Sequence, residues 1–379
     1  MGREGTARRP FCHCCSKPAR ICLCDRLKSP PLDNSIAVTI LQHSREKTHP
    51  LNSSRVARLG LKNLCVVPVT DVIFQAQFLV RPLEPNQDCA SSYIAGNHYE
   101  MPVWDERLGF SSRRSVICAN LEASIRSGFG IDRFQSETER LSFHSRMSES
   151  EEELNLSQAI SDVSNDYDQI GETPIDDEVT SSFSKYAVTY SSKYIMVTMD
   201  KAAKPDIGWI LNYPVGKAAI SNGFMVRKLQ RKKFLQNSEE LKDSEEFNLV
   251  IPSGSALLFP SSNAIELAEV DHEVKHLIVL DGTWAKARRM YYENPWLKLL
   301  PHLKLDQRKE SLYSDVRHQP KAGYLSTVES IVCALKALGN DMEGLDEILD
   351  VFGSMIRDQR RCKDEKLKSI DKGSEALQR

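Results

Sequence analysis

The chain has 379 residues, of which 41% are hydrophobic and 27% charged, with a formal net charge of -2. That length holds one large domain with additions or two domains, and the composition permits a packed globular core. The charge excludes a uniformly basic nucleic-acid coat. No apolar stretch approaches the ~20 residues of a membrane helix, so no membrane partner is expected.

The N-terminus carries Arg3, Arg8 and Arg9 without the apolar run of a secretory signal, which predicts a location in the cytosol, the nucleus or both. Then come Cys12-His13-Cys14-Cys15 and Cys22-Leu23-Cys24. In a reducing compartment such density reads as metal rather than disulfide. The natural ligand set is Cys12, Cys15, Cys22 and Cys24, four thiolates suited to tetrahedral structural Zn²⁺. His13 and Cys14 compete for places in that set. Residues 1–30 are read as this knuckle.

Ile36 to Leu41 is an apolar run ending in Gln42-His43, and Cys65-Val66-Val67 is a second strand. Between them Asn52 or Ser53 can cap a helix over Arg55 to Leu61. Strand, helix, strand predicts a parallel sheet, and residues 31–80 are its first part. His43 then lies at a strand's carboxyl end and Arg55 in the first helical turn. From 81 to 213 the pattern breaks up, and this stretch is read as an insertion. Residues 135–182, rich in Ser, Glu and Asp, are expected to be disordered. No Walker loop and no G-x-G-x-x-G occurs.

Order resumes over 214–340. Phe224-Met225-Val226 fits either a strand end or a helix start and runs into Arg227, Lys228, Arg231, Lys232 and Lys233, by default a solvated face. Pro252 to Ser261 reads as turn, buried strand, turn. His276 to Leu280 is an apolar run without alternation, the pattern of a strand covered on both faces. Asp281 sits at its carboxyl end, where ligands bind in open α/β sheets. Gly282 gives a turn, Thr283 can cap the next helix, and Trp284, Arg288 and Arg289 follow. The alternative for Trp284 is core packing. Ser326 with Glu329 forms a capping box. Leu345 to Ile356 has helical apolar spacing, and a basic tail follows within 341–379.

Side by side, these segments resemble the DTW-domain family, the tRNA-uridine aminocarboxypropyltransferases. The resemblance rests on the cysteine knuckle, Ile40-Leu41-Gln42-His43, Asn52 to Arg55 with Leu59 and Leu61, and Leu258-Phe259-Pro260. It continues with Asp281-Gly282-Thr283-Trp284 and Ala287-Arg288, Asn294-Pro295, Ser311 and Tyr313, Arg317 with Pro320, and Leu325-Ser326-Thr327 with Glu329. It covers about residues 10–68 and 250–340. The long middle segment departs from compact family members, Ser44 stands where proline is frequent, and Ser53 replaces threonine with the hydroxyl kept.

The resemblance implies a SPOUT-like α/β fold with a knotted cofactor site, often dimeric, so a homodimer is expected. It implies transfer of the 3-amino-3-carboxypropyl group of S-adenosylmethionine to uracil N3 in tRNA, releasing methylthioadenosine. Asp281, Thr283 and Trp284 are then the catalytic candidates, with Asp281 as base and Trp284 stacking on an extruded uracil. Leu258, Phe259, Pro260, Leu280, Leu325, Ser326 and Thr327 are the cofactor-pocket candidates. His43, Arg55, Arg288 and Arg317 are assigned to tRNA phosphate or the cofactor carboxylate. Two other readings are a SPOUT-type RNA methyltransferase and a catalytically silent zinc-knuckle RNA-binding protein.

Overall fold

The apolar run after residue 275 is a strand buried at all six of its positions, His276–Asp281. The computed structural model describes residues 10–85, 178–233, 241–306, 311–313, 324–339 and 344–377. Among them, β1 (Ala37–His43), β2 (Leu64–Val69), β9 (Ser255–Leu258), β10 (Ile265–Glu266), β11 (His276–Asp281) and β12 (His302–Lys304) form a parallel sheet. Their order is β10-β12-β9-β11-β1-β2. Side chains alternate across it, as a pleated strand requires. Leu277 and Val279 enter one hydrophobic cluster, Ile278 and Leu280 the other. Each fully buried aliphatic side chain stabilises the fold by about 1.5–3 kcal/mol.

Helices α1 (Ser54–Gly60), α4 (Thr327–Ala337) and α5 (Leu345–Leu377) cover the Leu277 face. Gly60 allows α1 and α5 to approach, since a Cβ there would lie 2.6 Å from Ile348 Cγ1. Helix α5 runs well past Ile356. The basic tail therefore begins as helix, with Arg357, Arg360, Arg361 and Lys363 exposed.

The opposite face is covered by α2 (Pro214–Asn222), α3 (Trp284–Glu293) and a second sheet. That sheet is antiparallel: β3 (Gln75–Pro82), β4 (Val179–Ser182), β5 (Tyr186–Tyr190), β6 (Ile195–Asp200), β7 (Gly223–Lys233) and β8 (Leu241–Pro252), in the order β4-β5-β6-β3-β7-β8. Phe78, Val80, Val197, Phe224, Val226 and Ile251 share one cluster with Ile278 and Leu280. So Val188, Ile195, Val197, Met199, Ile207 and Ile210, from within 81–213, join this core, and Phe224–Val226 is strand. Val179–Ser182, at the end of the stretch expected to be disordered, is the edge strand β4; residues 135–177 lie outside the described residues.

Strand alternation also splits the basic run. Lys228 is fully buried, 3.2 Å from Glu246 and donating to the Thr70 carbonyl at 3.0 Å. Burial lowers its pKa while Glu246 opposes that shift. Arg227 pairs with Glu245 at 2.6 Å, and exposed Arg231 reaches Asp243 at 3.4 Å. No helix among the described residues is long and apolar enough to cross a membrane.

Candidate active site and metal centre

The carboxyl ends of β9, β11 and β12, with Glu46 and Leu51 to Ser53 from the segment after β1, open onto one cavity of about 440 Å³. That size suits a small-molecule ligand. One wall is Leu258, Phe259 and Pro260 with Leu280, and a facing loop gives Leu325, Ser326 and Thr327. Asp281, Thr283 and Trp284 also line it, as do Glu46, Asn52 and Ser53. All seven cofactor-pocket candidates and all three catalytic candidates therefore meet in one space.

Asp281 is buried at the tip of β11, and both its oxygens face donors. Gln42 Nε2 donates to Oδ2 at 2.8 Å, and the Thr327 hydroxyl donates to Oδ1 at 2.6 Å. Gln42 and Asp281 are register partners in adjacent parallel strands. Thr327 opens α4 behind an intact capping box: Ser326 Oγ accepts from Glu329 N, and Glu329 accepts from Ser326 N at 2.8 Å. Glu329 also accepts from Ser311 Oγ at 2.8 Å and Leu312 N at 2.7 Å, which fixes the loop's neighbour. Thr283 caps α3 by accepting from Lys286 N at 3.4 Å. The Lys286 ammonium pairs with buried Glu46 at 2.9 Å on the cavity wall.

Trp284 is half-buried and already has aromatic neighbours. Its ring stacks on Tyr324 at 4.6 Å and 22°, and on Phe259 at 5.9 Å and 16°. Phe259 stacks in turn on Tyr291 at 4.3 Å. The ring thus builds the wall, and Tyr324 stands next to it at the cavity.

The four anion-binding candidates separate. His43 is buried outside the cavity lining: Nε2 faces Asp71 Oδ1 at 3.1 Å, and Nδ1 accepts from Arg45 N at 3.2 Å. The Asp71 carboxylate also holds Arg289 at 3.0 Å. Burial pushes Asp71 up, but bonds and charge from His43 and Arg289 outweigh it, and its pKa is lowered. Arg55 is half-buried and donates to the Lys47 carbonyl at 2.9 Å, also outside the lining. Arg288 is exposed on α3. Arg317 lies outside the described residues.

At the N-terminus the Sγ atoms of Cys12, Cys15, Cys22 and Cys24 all lie within 4.8 Å of one another. Cys12 to Cys24 is 3.6 Å and Cys15 to Cys22 is 3.7 Å. A tetrahedron of metal–sulfur bonds near 2.3 Å has edges of about 3.8 Å, so this cluster fits a metal ion. Backbone N–H groups of Cys15 and Cys14 lower the Cys12 thiol to about 6, whereas burial pushes Cys24 up. A bound cation is what allows all four to be thiolates together. Arg26 docks the knuckle on α5 through Ser354 at 2.9 Å and Asp358 at 2.6 Å.

Sequence reasoning assigned no role to Gln42, Ser54 or Tyr324. Gln42 is legible afterwards: side chains alternate along a strand, so it and His43 point to opposite faces, and only one can meet β11's tip.

Residues 192–360 match the family described as the DTW domain. The chain is 39% identical over 84 residues to tRNA-uridine aminocarboxypropyltransferase 2 of Drosophila melanogaster, covering 22% of this chain and 33% of that protein. The same-named protein of Macaca fascicularis is 36% identical over 107 residues, 27% of this chain and 35% of the relative. That of Mus musculus is 34% identical over 105 residues, again 27% and 35%. The matched stretches thus span about a third of each relative. No solved structure matches the chain.

Proposed function

We propose that this chain, whose residues 192–360 match the DTW-domain family, is a tRNA-uridine aminocarboxypropyltransferase with S-adenosylmethionine as donor. The observation that carries the proposal is a single cavity of about 440 Å³ holding Asp281, Thr283, Trp284 and the Leu258–Pro260 and Leu325–Thr327 walls. Relatives bearing that activity's name support it.

Uracil N3 is a poor nucleophile while protonated, and a positioned carboxylate answers that need. In the proposed step N3 forms a bond to the donor carbon next to sulfur. Its proton passes to Asp281, the carbon–sulfur bond breaks, and the electron pair stays on sulfur as methylthioadenosine leaves. A carboxylate offers about four lone-pair sites, so Asp281 keeps capacity beside Gln42 and Thr327. The sulfonium already activates the carbon, and the cavity's task is alignment. Trp284 and Tyr324 supply an aromatic boundary for an unstacked base.

The Cys12, Cys15, Cys22 and Cys24 centre is proposed to hold Zn²⁺ in a structural role, supported by its sulfur spacing. Exposed Arg288 is assigned to tRNA phosphate, and Arg55 and Arg317 keep the same proposal. A SPOUT-like knotted core is the matching fold proposal. It is supported by a parallel sheet in which β9 lies between β12 and β11, and by Thr327, later in the chain than β12, bonding to Asp281 at β11's tip. A homodimer goes with that fold and is testable by sedimentation.

The test is incubation of the protein with S-adenosylmethionine and bulk tRNA, then nuclease digestion and mass spectrometry of the nucleosides. An aminocarboxypropyl adduct on uridine is expected. A methyl adduct would replace the proposal with a methyltransferase, and unmodified tRNA would remove the enzymatic reading.

A further inference from the structure

The orientation of Asp281 is set through a chain of three side chains whose polarity is fixed at one end; Gln42 and Ser54 lie outside the cavity lining and Asn52 on it. Asn52 Oδ1 accepts from the backbone N–H of Ser54 at 3.0 Å. A backbone N–H is only a donor, so this contact fixes Oδ1 as the acceptor and sends Nδ2 to the Glu46 carbonyl at 2.9 Å. The Ser54 hydroxyl lies 2.6 Å from the same Oδ1 and must donate to it. Its one proton is then committed, and toward Gln42 it presents only lone pairs. Gln42 accordingly turns its NH₂ end toward Ser54, at 2.6 Å. The second N–H of that group points at Asp281 Oδ2 at 2.8 Å.

All four residues are buried, where a reversed dipole has no water to compensate it and is costly. A flipped Gln42 would set its carbonyl oxygen against both the Asp281 carboxylate and the Ser54 lone pairs. One backbone N–H at the start of α1 is thereby transmitted through Asn52, Ser54 and Gln42 as a donor presented to Asp281. Thr327 supplies the second donor from the opposite side.

We infer that Gln42, Ser54 and Asn52 form a positioning relay that holds Asp281 as an oriented, ionised carboxylate, ready to accept a proton. The inference rests on the proposed transfer reaction and adds to it three positioning residues that act through Asp281. The same logic holds wherever a hydrogen-bonded neighbour orients a ligating or reacting side chain.

The test is Gln42→Met, which keeps the volume and loses both donors, beside Ser54→Ala and Ser54→Thr. With Gln42→Met, kcat is expected to fall about tenfold or more while the KM for S-adenosylmethionine changes little, as loss of a charge-assisted bond to the reacting group predicts. The acid limb of the rate–pH profile moves to higher pH, because the carboxylate has lost a donor. Ser54→Ala follows in the same direction, and Ser54→Thr restores the wild-type profile because its hydroxyl keeps the polarity. Far-ultraviolet circular dichroism and thermal melting establish that each variant is folded.

A carboxyl ¹³C titration of Asp281 in wild type and Gln42→Met reads the same effect without turnover, with a higher protonation midpoint expected in the variant. An unchanged rate profile or an unchanged midpoint overturns the relay. Absence of transfer by the wild type counts against the proposed function alone, and the ¹³C titration still decides the relay.

Discussion

Thr327 and Asp281, 46 residues apart, are joined by a 2.6 Å hydrogen bond from hydroxyl to carboxylate. The bond closes the candidate site, for it ties the first residue of α4 to the tip of β11. The capping box holds Thr327 in place, and the parallel register with β1 holds Asp281.

Asp281→Ala is expected to lower transfer by about a hundredfold or more, since it removes the proposed general base. It also leaves Gln42 and Thr327 without their acceptor, at about 1–3 kcal/mol per buried unpaired group. Comparing single-turnover rates with denaturant melts separates the two effects. A folded Asp281→Ala protein with wild-type transfer would remove Asp281 from the chemistry.

Trp284→Phe is expected to retain most activity, because an aromatic ring still stacks between Phe259 and Tyr324. Trp284→Ala should lower both the melting temperature and cofactor affinity. Isothermal titration with S-adenosylmethionine checks this. Equal affinity in Trp284→Ala and wild type would show that the ring is not part of the binding wall.

Replacing Cys12 and Cys15 by serine should release one zinc ion per chain and unfold the knuckle. Metal-coupled folding is worth on the order of 10 kcal/mol in such centres. Elemental analysis of wild type and variant provides the check, and metal-free wild-type protein with the same stability would contradict it.

The His43–Asp71–Arg289 bridge predicts a pH dependence of stability. The folded Asp71 pKa is lowered from its ordinary 3.8. Its contribution is therefore present above that value and lost as pH falls through the folded pKa. Asp71 is partly exposed, so the effect is small, ~1 kcal/mol or less at neutral pH. Wild type should be more stable than Asp71→Asn at pH 7, with the difference shrinking as pH falls below 3.8 and through the lowered folded pKa. A difference that persists in acid would refute this role.

Legibility followed locality. β11, its turn and the cap of α3 were readable because an unbroken apolar run, Gly282 and Thr283 lie next to one another. The capping box of α4 was readable for the same reason. The antiparallel sheet was not: Gln75 pairs with Asp200 across 125 residues, and no local pattern encodes that partner. Lys228 was hidden by composition, since a basic run gives no sign of which member a strand turns inward. His43 and Gln42 differ by one position, and pleating sent Gln42 to Asp281 and His43 to Asp71.

The central claim is tested most directly by giving the protein tRNA and S-adenosylmethionine labelled either in the aminocarboxypropyl chain or in the methyl group, and counting label in purified tRNA. The account predicts label in tRNA from the chain-labelled donor alone, with methyl label recovered in methylthioadenosine. Label entering tRNA from the methyl group, or from neither donor, would contradict it.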